Sequence, residues 1–247
     1  MGQGLARRVA RRIERSIRTR GLLGSITHAL AGLRSTNRDP ARAATDGDDA
    51  GDDFDRRHGV DTGGIIPQAD LDVVTANWVH GSAYVATSPI DFGDVLAPYG
   101  LDFGRTSFVD LGCGKGRVVL MAAALPFERV VGVEYSAQLS QVARANIARY
   151  RGPRTAAAVE VVTGDATAYV FPPGDLVVFM YHPFDDVVMR RVVASLEAAM
   201  AEAPRKLVVL YFKPVYAALW DSAAFVERRA SSGLFNAYVG GVLRAAG

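Results

Sequence analysis

FVDLGCGKGRV, residues 108–118, is an apolar run that rises into Asp110, breaks at Gly112, Gly114 and Gly116, and gives way to a second apolar run at Val118 to Leu120. That pattern reads as a buried strand, a tight turn and the first turn of a helix. Three glycines at alternate positions let a ligand lie against backbone with no β-carbon in the way. The helix that follows aims its first N–H groups at the same place. The stretch predicts a site for a nucleotide-like cofactor.

Outward from it, strand-like runs alternate with helical ones. Val130–Val133 is the second strand, and Ser136 is placed to cap a helix with Leu139, Val142, Ala143, Ile147 and Tyr150 on one face. Val159–Thr163, Leu176–Met180 and Leu207–Phe212 follow as strands, and Asp185 or Asp186 starts the helix between the last two. Two further runs, Ala224–Arg229 and Phe235–Leu243, are joined by a Ser231-Ser232-Gly233 turn. Alternation of this kind predicts an α/β, doubly wound, mostly parallel sheet of seven strands. The closing hairpin makes the C-terminal strand antiparallel.

The chain divides by composition into a basic amphipathic arm (1–34), an acidic flexible linker (35–55), a lead-in or lid segment (56–104) and the core (105–247). In the arm, Leu5, Val9, Ile13 and Ile17 recur every four residues between arginines that run from Arg7 to Arg20. This pattern predicts an N-terminal helix that contacts an anionic membrane surface or nucleic acid, or packs its narrow apolar stripe on protein. An organelle transit peptide is the other reading, Arg-rich and poor in acid. The whole chain carries a net charge of +2, most of its positive excess in the arm, so the rest is mildly acidic. A nucleic-acid-binding core is therefore not expected. Cys113 is the only cysteine, which excludes disulfides and cysteine metal sites and fits a reducing, cytoplasmic compartment. The aspartate cluster at 46–55 puts Arg57 where a calcium loop needs its glutamate, so no metal is expected. No run approaches the ~20 apolar residues of a membrane span.

Three kinds of nucleotide site compete for the glycine turn. A phosphate-binding P-loop would need a glycine at Val109 and a serine or threonine at Gly116, and is excluded. A dinucleotide fingerprint would place its third glycine one residue later. What remains is the spacing D-x-G-x-G-x-G with Glu134 after the second strand and Gly164-Asp165-Ala166 after the third. With these residues, the chain from Thr106 to Leu243 resembles the class I, seven-stranded methyltransferases that use S-adenosylmethionine. VDLGCGKGR is similar to their first motif and VVGVEYS to their second acidic motif. RRHGVDTGG and GSAYVATSP are similar to the lead-in of small bacterial members, extending the likeness to residues 56–243.

The resemblance implies roles. Gly112, Cys113, Gly114 and Gly116 would let the backbone approach the amino-acid tail and ribose, with Asp110 orienting the amino group. Glu134 would accept the ribose hydroxyls and Tyr135 would pack near the adenine. Asp165 and the Ala166 N–H would read the adenine edge, and Tyr84 would reach the cofactor from the lid. Tyr181 and His182 leave the fourth strand beside the methyl group as candidate catalytic residues. In amino-methylating relatives this position resembles N-P-P-Y/F; here YHPF has one proline and no Asn or Asp, so amine specificity does not carry over. His182 reads as a general base or as a strand-end histidine, and Phe184 as an acceptor-stacking ring or as packing. The expected activity is methyl transfer to an acceptor, protein side chain or small molecule, that the sequence leaves unidentified. A non-catalytic binding module and a nicotinamide-dependent oxidoreductase are the alternatives.

Overall fold

The computed structural model describes residues 49–72 and 80–241. The expected arm (1–34) and residues 35–48 of the expected linker lie outside the described residues.

Residues 106–111 are all buried, as a strand covered on both faces must be, and they form the centre of the sheet. Successive side chains of a strand point to opposite faces. Accordingly Phe108 packs into one apolar cluster while Val109 and Leu111 pack into the other. We number the strands β1 (Ile65–Ile66), β2 (Tyr84–Val85), β3 (Thr106–Leu111), β4 (Arg129–Glu134), β5 (Val159–Thr163), β6 (Asp175–Tyr181), β7 (Leu207–Phe212), β8 (Val226–Ser231) and β9 (Phe235–Gly240). The helices are α1 (Asp49–His58), α2 (Phe92–Leu96), α3 (Arg117–Ala122), α4 (Ala137–Arg149), α5 (Asp186–Glu202) and α6 (Ala217–Asp221).

The seven-stranded sheet has the order β5-β4-β3-β6-β7-β9-β8. Its first five strands are parallel. β9 enters between β7 and β8 and runs antiparallel to both, so the hairpin is closed by an inner strand and β8 forms the edge. One face of the sheet is covered by α2 and α3, with Phe54 of α1 and Ala143 of α4 joining the same cluster. The other face is covered by α5, through Val188, Met189, Val192, Leu196 and Met200, and by Trp220 of α6. Each fully buried apolar side chain contributes about 1.5–3 kcal/mol.

Helix starts follow their caps. Ser136 Oγ accepts the N–H of Leu139 at the start of α4, and Asp185 Oδ1 accepts those of Val187 and Val188 at the start of α5. Of the two candidates for that start, Asp185 is the cap, and Asp186 sits in the first turn, paired with Arg190.

The linker requires a correction. α1 begins at Asp49, inside the acidic stretch expected to be flexible to residue 55. Phe54 is buried, and Asp55 accepts hydrogen bonds from the N–H groups of Thr62 and Gly63. Composition alone hid this, because the aspartate that looks like linker charge satisfies backbone donors. Among the described residues no helix is long and apolar enough to cross a membrane.

Candidate cofactor and acceptor site

The carboxyl ends of β3, β4, β6 and β7 open onto a chamber of about 200 Å³. That is where open α/β sheets bind ligands, because the strand order reverses there. A smaller chamber of about 40 Å³ adjoins it at the end of β5, and both are walled by Gly112, Tyr135 and Pro183.

The larger chamber brings together Tyr84, Asp110, Gly112, Cys113, Gly114, Glu134, Tyr135, Tyr181 and His182. Asp165 and Ala166 line the smaller one. Gly116 lines neither chamber; it is the left-handed N-terminal residue of α3 and lies against Ala143.

Gly112, Gly114 and Gly116 all have positive φ, 80°, 55° and 85°, which only glycine adopts at little cost. The expected reason for the first two was approach by a ligand. The structure adds another: a β-carbon on Gly112 would lie 2.5 Å from Cβ of Pro183, and one on Gly114 would run into the ring of Tyr84. The chain itself fills the space.

Glu134 is buried and its two oxygens accept the N–H groups of Gly114 (2.8 Å) and Ser136 (2.9 Å), locking the glycine turn to the end of β4. Burial pushes its carboxyl pKa up against those two hydrogen bonds. Asp110 is 2% exposed, and burial followed by the neighbouring Glu134 holds its pKa well above the usual carboxylate range. Among the described residues neither carboxyl is paired with a lysine, arginine or histidine. Burial likewise raises the Cys113 thiol, so this cysteine is a small buried residue rather than a reactive thiolate. The Tyr135 hydroxyl is buried without a hydrogen-bond partner among the described residues, and burial raises its pKa to about 12. Asp165 is engaged as a cap: its Oδ1 accepts both the N–H and the hydroxyl of Thr167.

The lead-in roofs this site. Arg117, 3% exposed, donates to Thr62 Oγ1, to the Thr87 carbonyl and to Asp55. Lys115 donates to Asp61 and to the Gly63 carbonyl, and Asn146 links the Asp61 and Lys115 carbonyls. Tyr84 is held by its hydroxyl, which donates to the Thr62 carbonyl. Further along, Asp72 accepts from Ser136 Oγ and from the Gln138 N–H, and His80 bonds Asp185. The DTGG segment is thus a clamp on the glycine turn, a role its composition did not disclose.

On the far side, Tyr181 ends β6 and His182 follows with φ 41°. His182 Nδ1 lies 3.3 Å from the Tyr211 hydroxyl. Burial, and then the charge of Lys213, lower its pKa. Phe184 lies away from this end: it is buried in the core beside α5 and borders the smaller chamber, so it packs rather than stacks on an acceptor over Tyr181. Lys213, which sequence reasoning passed over, lines the same chamber as His182. Its position just past a parallel strand was the available signal. Among the described residues no cluster of metal-binding side chains occurs.

No curated protein sequence matches the chain significantly. Among solved structures, the PH0226 protein of Pyrococcus horikoshii is 17% identical, with 61% of this chain and 89% of that one covered at a TM-score of 0.45. TrmN of Thermus thermophilus is 16% identical, with 63% and 49% covered at 0.45. A SAM-dependent methyltransferase of Methanosarcina mazei is 17% identical, with 50% and 59% covered at 0.38. At such scores the fold rests on the strand order of the chain itself. Residues 108–203 match the family described as a methyltransferase domain, and the strand order of the chain is that of the class I, Rossmann-like fold.

Proposed function

We propose that the protein transfers the methyl group of S-adenosylmethionine to an acceptor seated over Tyr181 and His182. The observation that carries this reading is the pair of buried carboxyls, Asp110 and Glu134, with no cationic partner among the described residues. Unpaired buried acid is costly, and a ligand that brings positive charge relieves it. The residues fit this donor: its ammonium and sulfonium charges suit the acidic end, and the unpartnered Tyr135 hydroxyl offers it a hydrogen bond. Asp110, the 112–116 turn, Glu134 and Tyr135 would hold the tail and ribose, and Asp165 with Ala166 the adenine.

When bound, the donor would supply a methyl carbon activated by positive sulfur for in-line transfer to the acceptor's lone pair. The chain's own contribution is to position, to exclude water under the lead-in, and to take the acceptor's proton at His182. A neutral imidazole can do so, and burial favours the neutral form.

Thermal-shift titration tests the donor. S-adenosylmethionine and S-adenosylhomocysteine are expected to raise Tm. A folded sample that responds to neither, or to NAD instead, overturns the reading; binding without turnover of any acceptor would favour a non-catalytic module. We further propose that the arginine-rich arm (1–34) contacts an anionic surface. Its deletion should abolish co-sedimentation with phosphatidylserine vesicles, or retention on duplex DNA, while leaving donor affinity intact.

A further inference from the structure

The charged groups at the strand ends are sorted by sign across the sheet. Glu134 ends β4 and Asp110 lies in β3, while His182 follows β6 and Lys213 follows β7. Two strand spacings of about 4.8 Å, and a register offset of three residues because Asp110 is level with Leu210, put Asp110 and Lys213 roughly 14 Å apart. Among the described residues, no acidic side chain other than Asp110 and Glu134 lines the larger chamber. Arg117, the other strong base on its wall, is held by Asp55, Thr62 and Thr87.

His182 and Lys213 share a second property. They are the two non-glycine residues with positive φ among the described residues, at 41° and 48°. They sit side by side, because each directly follows one member of the register pair Tyr181 and Phe212. Left-handed backbone is disfavoured for residues with side chains and gathers where a structure must aim a side chain. The Lys213 backbone is fixed there by its N–H bonding the Leu234 carbonyl and its carbonyl accepting from Val215, both at 2.8 Å. Its ammonium makes no ion pair or hydrogen bond among the described residues.

We infer that Lys213 selects the acceptor by holding a carboxylate of a small molecule whose hydroxyl lies over Tyr181 and His182. The inference rests on the methyl-transfer reading above. A protonated amine would meet Lys213 with no acid on that side to receive it. A phosphate dianion would call for several cationic or N–H donors, whereas this side offers one ammonium. A monoanionic carboxylate matches a single lysine.

The test is calorimetric titration of the full chain, with and without S-adenosylhomocysteine. The probes are 4-hydroxybenzoate, 3,4-dihydroxybenzoate and 3-hydroxybutyrate, each beside its amide. At least one carboxylate should bind several-fold more tightly than its amide, as expected for an ion pair with the exposed Lys213. Lys213→Met should erase that preference and leave S-adenosylhomocysteine affinity unchanged, and Lys213→Arg should restore part of it. No binding by any carboxylate, equal binding of acid and amide, or a preference that survives Lys213→Met overturns the inference. If S-adenosylhomocysteine fails to bind the wild-type chain, the methyl-donor reading falls instead, and the acid-to-amide comparison on the unloaded chain still decides the role of Lys213.

Discussion

The ring of Tyr84 lies over Gly114 in space that only a residue without a β-carbon leaves, so the lead-in and the glycine turn are fitted to each other. Gly114→Ala is expected to destabilise the protein by about 2–4 kcal/mol, through left-handed backbone strain and overpacking. In the double variant with Tyr84→Ala the overpacking component should vanish. A double-mutant cycle on denaturation midpoints should therefore give a favourable coupling of about 1 kcal/mol or more; strict additivity would separate the two residues.

Asp110 makes the ligand-free protein sensitive to pH. Below about pH 3 its carboxyl is protonated in folded and unfolded chains alike. As pH rises, the unfolded chain releases the proton first, so the native state holds more protons and loses stability until it too titrates. Asp110→Asn should therefore gain on the wild type between pH 5 and pH 8, by about 1.4 kcal/mol for each pH unit of that window that lies below the folded-state pKa. The same variant should bind S-adenosylmethionine more weakly at pH 8. Melting curves with and without donor at the two pH values read both effects.

Arg117 is a buried cation shared by three partners. Arg117→Met leaves Asp55 without its charge partner and should cost about 3–5 kcal/mol in urea unfolding. Arg117→Lys should recover little, since a single ammonium does not reproduce the forked donors that reach Thr62, Thr87 and Asp55.

His182 is held below the ordinary histidine value by burial and then by Lys213. If it takes the acceptor's proton, kcat/KM rises with pH along a limb placed below 6.5. Removing the positive charge with Lys213→Met should move that limb upward, and His182→Gln should lower kcat by about 100-fold or more. A limb unmoved by Lys213→Met would dissociate the two residues.

Central parallel strands were legible because burial on both faces writes itself as continuous apolar runs, as in Leu207–Phe212, which begins and ends where the sequence places it; the edge strand Val159–Thr163, with only Val161 buried, also keeps its expected bounds. The cap of α4 was legible at Ser136, and the glycine turn at its three glycines. What escaped notice depends on long-range pairing or on backbone angle. Nothing local to Asp55 announces an arginine 62 residues away, so it reads as linker charge. Nothing local to Lys213 announces a left-handed φ, which is imposed by Leu234 across the sheet. Gly112 and Gly114 read in the sequence as positions opened for a ligand; Pro183 and Tyr84, which press on them, come from distant segments and were not legible there.

The placement of β9 inside the sheet has a consequence for synthesis. Until Phe235–Gly240 emerges, β7 is an outer strand whose six residues, LVVLYF, are apolar and whose hydrogen-bonding edge is bare. A chain stalled or cleaved before residue 235 would expose an edge of the kind that templates intermolecular pairing. β9 thus works as a protection against self-association, and premature termination before it should yield aggregates in place of a shorter folded chain.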